Sequence, residues 1–476
     1  MVKKEGTIEE TIEKKAVLWI LLLMWLIPTA YSFATKNPEG TNVSGEFSPA
    51  ETEFIYDLSY VKDGKNVREQ KIFDREMKVI RGAKEFLMVD FFLFNATYDR
   101  DVDCPKQVAA MTDLLIEKKR ENPDMPILFV TDPINNFYGA YEESNIKRLK
   151  ENGIDVVVTD LNRMRDSNPL FSGIYRAYIQ WFGTAGNGRI RNFFAKEGEK
   201  VTVRSVFKLL NFKGNHRKVV ISEKEAMVAS ANPHDPSAYH SNVALLFRGK
   251  VMEDLIRSES IFFKELPPVI KDYKAEEVTS QDRLKVITEG AIYDAISDNI
   301  NKSKKGDRIN IGIFYLSEFR LLKDLEAAAN RGVDVKIVAD LNKDAFGLEK
   351  NGAPNRPALS ELKEKAPSIQ IRWYNTRGEQ YHTKMIVFDF KDEKPLAILG
   401  SGNFTRRNLD NYNLETDVAV EMERNSPTYL AVENYFRRIW TNEGGEYTLP
   451  FEAYKDERVF IRPLWKFQEA TGLCTW

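Results

Sequence analysis

Cysteine is nearly absent: the 476 residues hold two, Cys104 and Cys474, far apart and outside any CxxC spacing. No zinc site or disulfide scaffold can be read from them, and both thiols are expected to be unpaired. A single long-range disulfide would require an oxidising compartment. Histidine is scarce too, with four residues. Charge of one sign is also lacking, since 69 Lys and Arg stand against 71 Asp and Glu for a formal net charge of −2. That excludes a global basic field of the kind that gathers nucleic acid, although a local basic groove stays open. Low-complexity tracts are missing, and hydrophobic residues make up 43% and charged residues 29% of the chain. This is the balance of a globular protein rather than a polytopic membrane protein or a disordered one. The chain is too long for one core, so two units are expected.

The one long apolar run lies near the N-terminus. Lys14 and Lys15 precede Ala16 to Ile27, and Pro28 and the small-residue stretch Thr29 to Ala34 follow. Residues 1–35 thus have the layout of a signal peptide or a membrane anchor. The strictly apolar part is about a dozen residues against the roughly 20 that span a bilayer, with Thr29 to Ala34 able to extend it. Lysines before the run favour an N-terminus in the cytoplasm and the rest of the chain outside. A buried core helix is the alternative.

Beyond this segment the same order of elements occurs twice. Lys84 to Asn95 and Asp307 to Glu318 read as buried strands. Helical patterns follow at Val108 to Arg120 and Leu321 to Arg331, then strands Pro126 to Thr131 and Asp334 to Ala339, each closing on an Asp-containing loop (Asp132, Asp340). Second helices around Glu142 to Glu151 and Pro357 to Glu364 lead into strands Asp155 to Asp160 and Gln370 to Tyr374. Such alternation predicts a largely parallel sheet covered by helices. The first half alone carries an insert, residues 161–215, that interleaves aromatics and bases (Tyr178, Trp181, Phe182, Arg189 and Arg191 among them). That mixture suits a lipid headgroup interface, or else a helical hairpin packing its aromatics on the core. A break near Glu265 to Ser280 divides 36–265 from 266–476. No chemistry is assigned to the tail after Trp440.

The candidate chemistry sits at matching places in the two halves. In the second, His382-Thr383-Lys384 runs through an apolar stretch to Asp389, with Ser401 and Asn403 following. In the first, His216-Arg217-Lys218 runs to Glu223, with Ser230 and Asn232 following. Residues i and i+2 on a strand point to one face, so each His-x-Lys presents an imidazole and an ammonium side by side. A single His-x-Lys means little. Two of only four histidines opening parallel cassettes with the same Ser-x-Asn sequel is a strong joint signal. Brought together, two His, two Lys and two Asn suit a phosphodiester, with the serines as further donors.

These cassettes resemble the HKD motifs of the phospholipase D superfamily, and the layout is similar to its bacterial cardiolipin synthase-like members. The resemblance implies two tandem α-β-α sandwich halves related by a pseudo-twofold axis, with the active site at their interface. It implies a phosphohistidine mechanism without metal or other cofactor. His216 and His382 would be nucleophile and acid, Lys218, Lys384, Asn232 and Asn403 phosphate ligands, and Glu223 and Asp389 the motif acids. Glu415 is the family-like acceptor for orienting one histidine, and His240 aligns with it in the first half. Glu223 in place of an aspartate and His240 in place of a glutamate depart from the family pattern. A phospholipid substrate, a bacterial-type cell membrane and an extracytoplasmic catalytic domain form the leading expectation, with no nucleic-acid partner. A phospholipase D-type endonuclease and a catalytically inactive lipid-binding relative are the alternatives. The sequence leaves the oligomeric state open.

Overall fold

The computed structural model describes residues 2–97, 103–195, 198–345, 348–474 and 476. Among them, the first half forms a seven-stranded sheet in the order Glu51–Tyr56, Val243–Arg248, Ala226–Ala229, Lys218–Ser222, Leu87–Phe91, Ile127–Thr131, Asp155–Val158. The second half repeats it from Arg283–Thr288 through Thr416–Glu421, Leu396–Gly400, Lys384–Asp389, Arg308–Ile313 and Asp334–Ala339 to Gln370–Tyr374, with Ser48–Pro49 and Thr448–Pro450 at the two edges. The duplication read from the sequence is thus a duplicated strand order. Its register repeats as well: Phe91 lies opposite Lys218, and Ile313 opposite Lys384.

The sheets are mixed rather than largely parallel, which corrects the expectation. Parallel pairing is confined to the arm where helices Gln107–Glu121 and Ser144–Glu151, and their counterparts Phe319–Asn330 and Asn355–Lys365, return the chain to the same edge. After each motif strand the link is too short for such a crossover. Residues 223–225 join Lys218–Ser222 to Ala226–Ala229, and a loop that short closes only an antiparallel hairpin.

The inner faces of the two sheets share one core. Val219, Val228 and Leu245 from the first half are buried with Met385, Leu399 and Val418 from the second. Helices cover the outer faces, with Met111 and Leu115 against Phe129 and Val220 in one half, and Leu321 and Leu325 against Ile311 and Ile386 in the other. Each fully buried side chain of this size contributes about 1.5–3 kcal/mol, so the shared core holds the halves in a fixed relation. The leading chain also stitches them: Ser48–Pro49 pairs with the second sheet, and Glu51–Tyr56, immediately after, pairs with the first.

The N-terminal run lies in one helix, Val2–Phe33, with an apolar stretch Glu13–Phe33 long enough to cross a membrane. Trp19, Ile20 and Ile27 are exposed, so this is no core helix. The insert forms short turns, Pro169–Ile174, Tyr175–Ile179, Gln180–Phe182 and Val203–Leu209. Tyr175 is buried, whereas Trp181 and Phe182 are 75% and 71% exposed. The first of these turns packs on the N-terminal helix instead of forming a hairpin over the core. Cys104 and Cys474 are both free thiols.

Candidate active site

Each cassette opens where a strand begins. Lys218 and Lys384 are the first residues of their strands, and the preceding His216 and His382 sit at the sheet ends that face each other across the shared core. Both histidines line one pocket of about 110 Å³, together with Asn232 and Asn403. Asp132 and Asp340, in the loops singled out by sequence, fix the entry into each cassette. Asn215 N donates to Asp132 Oδ2 and Tyr381 N to Asp340 Oδ2, both at 2.7 Å.

Behind each histidine stands a partner from the other half. His216 Nδ1 donates to Glu415 Oε2 at 2.9 Å, and Ser401 Oγ donates to the same oxygen at 2.5 Å. His382 Nδ1 donates to Asn242 Oδ1 at 3.1 Å, and Ser230 Oγ donates to that oxygen, also at 3.1 Å. The two relays match in place and differ in charge. His240 is therefore not the counterpart of Glu415. Its Nδ1 accepts from Gln380 N at 3.2 Å, and its ring lies beside His382 with centroids 5.9 Å apart. The two serines, expected to touch phosphate, are fully buried behind the relays.

Lys384 Nζ donates to His382 O at 2.7 Å, and Lys218 Nζ donates likewise to His216 O. Phe92 and Phe314, each just past the strand that pairs with the motif, brace both groups. Phe92 meets His216 edge-on at 4.8 Å with Lys218 Nζ 5.2 Å above its ring, and Phe314 meets His382 at 5.0 Å with Lys384 Nζ 5.1 Å above. Asn232 Oδ1 accepts from Leu93 N, and Asn403 Oδ1 is buried without a hydrogen-bond partner among the described residues. The latter amide is available to a ligand.

Burial lowers every base here. It pulls His216 down to about 4, opposed by Glu415 and aided by Lys218. His382 falls well below its ordinary value through burial, then Lys384 and His240. Lys218 drops to about 7 through burial against the pull of Glu415, and Lys384 falls well below its usual range through burial and Lys218. Burial alone would raise Glu415, but His216 and Lys218 outweigh it and leave the carboxyl below its ordinary value. Four bases pressed together are the setting in which a bound anion regains the most charge stabilisation.

The motif acids lie elsewhere, which corrects their grouping with the site. Glu223 accepts from the backbone N–H groups of Lys84 and Glu85, and Asp389 pairs with Arg308 and Arg424. Asp389 stands five residue steps along the strand from Lys384, about 17 Å. Sequence reading missed Asn242, which aligning the first residues of the following strands, Val243 and Thr416, would have exposed. It also missed Arg407 and Trp476, which line the pocket. Arg407 is spent on the tail, donating to Gly472 O and Cys474 O.

Two His-Lys pairs on facing sheet ends, held by crossed relays, make a pocket whose chemistry suits a phosphodiester. Residues 296–440 match the family described as "Cardiolipin synthase, PLD-like domain". No curated protein matches the chain in sequence. Among solved structures, phosphatidylserine synthase from Haemophilus influenzae Rd KW20 aligns over 90% of this chain and 95% of its own, with a TM-score of 0.56 at 11% identity. The phospholipase D family member NUC from Salmonella typhimurium aligns over 35% of this chain and 98% of its own, with a TM-score of 0.28 at 22% identity. The second half thus resembles a phospholipase D-like domain over residues 296–440, and the likeness to the synthase structure extends the fold, though not the activity, to nearly the whole chain.

Proposed function

We propose that the protein is a membrane-associated phosphatidyltransferase of the cardiolipin synthase sort, working through a phosphohistidine intermediate, with hydrolysis when water replaces the acceptor alcohol. The observation that carries this reading is the pair of unequal relays: a carboxylate behind His216 and a neutral amide behind His382. An imidazole that attacks phosphorus becomes positively charged, and Glu415 meets that charge. With Nδ1–H held by Glu415, the lone pair of His216 Nε2 faces the pocket. It forms the N–P bond as the P–O bond to the leaving alcohol breaks, and the departing oxygen takes a proton from His382 Nε2. His382 has an amide and, among the described residues, no carboxylate on its Nδ1, so it gives up that proton readily once the substrate's own negative charge has allowed it to bind one. The acceptor hydroxyl then returns a proton to His382 as its oxygen displaces His216. Lys218, Lys384, Asn232 and Asn403 hold the phosphoryl oxygens throughout.

The lipid substrate is supported by the exposed apolar helix at the N-terminus, which we read as an anchor. The lysines before it favour a catalytic domain outside the cytoplasm. The test is to incubate the detergent-solubilised protein with phosphatidylglycerol vesicles, alone and with phosphatidylethanolamine, beside a His216→Ala control. Cardiolipin formed only by the unmutated protein is the expected result. Phosphatidic acid alone makes it a hydrolase, and cleaved DNA or RNA with unchanged lipid overturns the lipid reading.

A further inference from the structure

The N-terminal helix contains Pro28, which has no N–H to donate to the carbonyl four residues back, at Met24. In lipid such a carbonyl has no water to satisfy it and needs a donor from the protein. Here it has a partner: Tyr178 Oη, from the insert, donates to Met24 O at 2.9 Å. The two segments are in backbone contact nearby, since a Cβ on Gly173 would fall 2.5 Å from Pro28 O. Ser172 and Thr29 are buried at the same crossing. Small residues that let backbones touch are the packing that helices adopt in bilayers.

Eight residues beyond Met24, the contact turns polar. Ser32 Oγ donates to Asp166 Oδ2 at 2.6 Å, and Asp166 also holds Arg176 and Lys213. At 1.5 Å per residue the Met24 carbonyl lies about 12 Å along the helix from this charged cluster. If the cluster marks the membrane surface, Tyr178 reaches well into the hydrocarbon. The insert is equipped for that. Gln180 Nε2 donates to Arg176 O and Trp181 Nε1 to Ala177 O, so these polar groups are satisfied within their own turn. Around them Leu170, Tyr178, Trp181 and Phe182 are exposed, on a segment that packs against the anchor helix through Pro169–Ile174 and Tyr178.

We propose that residues 169–182 are a second membrane element, sunk into the same leaflet as the C-terminal half of the anchor helix. This rests on the membrane reading above. From the polar cluster it is a short step to the active site: Ser167 Oγ accepts from Arg407, which lines the pocket. The wedge and the anchor together therefore hold the pocket at the leaflet surface, where a phospholipid headgroup arrives without leaving its membrane.

The test uses the full chain in phosphatidylcholine–phosphatidylglycerol vesicles, with Cys104 and Cys474 replaced by serine. An environment-sensitive fluorophore is attached singly at Phe182→Cys, Leu170→Cys, Trp25→Cys on the anchor, and Lys65→Cys as an exposed reference. Lipids brominated on their acyl chains should quench the labels at 182, 170 and 25 more than twofold and leave the label at 65 unchanged. Quenching at 25 without quenching at 170 or 182 overturns the inference while leaving the anchor intact. No quenching at any position overturns the membrane reading itself.

Discussion

Asn242 stands behind His382 where Glu415 stands behind His216, so a neutral amide in one half occupies the place of a carboxylate in the other. An opposite charge next to an imidazole favours its protonated form, and an amide oxygen does so far less. The two histidines of a nearly symmetric site are thereby made chemically unequal.

Glu415→Gln should lower kcat/KM by at least about 100-fold, since the attacking imidazole loses the charge that stabilises its phosphorylated form. Asn242→Asp should act differently. A carboxylate there lets His382 keep its proton to higher pH, and the alkaline limb of the kcat/KM profile should move up by about one unit. An unmoved limb would remove His382 from the acid role.

The roles of the two histidines separate with the leaving group. His382→Ala should lose about 10²–10⁴-fold on a phospholipid, whose alkoxide needs a proton. On a p-nitrophenyl phosphodiester, which leaves without one, it should release nitrophenol and accumulate a phosphorylated enzyme. His216→Ala should do neither, and the opposite pattern would exchange the assignments.

Glu223→Gln and Asp389→Asn should leave turnover within about twofold, because neither side chain reaches the pocket. Asp389→Asn should instead cost about 1 kcal/mol of stability by weakening partly exposed pairs to Arg308 and Arg424. Thermal unfolding beside a turnover assay checks both halves of this statement.

Binding of inorganic phosphate should weaken as pH rises above 7. Burial holds Lys218 at about 7 and Lys384 well below its usual range. An anion favours their charged forms, so binding takes up protons, and each proton taken up weakens affinity up to about tenfold per pH unit. Calorimetry in buffers of different ionisation enthalpy measures that uptake directly. Proton release in its place would contradict the lowered lysines.

Much of this site was legible because it is written in local spacing. The i, i+2 relation of His216 to Lys218 and of His382 to Lys384 needs only a strand start, and the helices around it came out close to their observed bounds, whereas the opening strands, read over 84–95 and 307–318, are the shorter Leu87–Phe91 and Arg308–Ile313. The relays were harder. Aligning Tyr239-His240 with Leu414-Glu415 put His240 behind His382, where Asn242 stands, because a slip of two residues is invisible until the strands are paired.

By itself the sequence determined that the chain is duplicated, that each half carries one imidazole–ammonium pair, and that an apolar helix stands at its N-terminus; periodicity and short-range stereochemistry suffice for these. Only the tertiary structure decided that Glu415 serves His216 across 199 residues and Asn242 serves His382 across 140. It also moved Ser230 and Ser401 behind the relays, took Glu223 and Asp389 out of the site, and laid Tyr178 on the carbonyl that Pro28 leaves free. Those contacts join residues far apart in the chain, and they exist only because the two sheets bury a common core that fixes which ends meet.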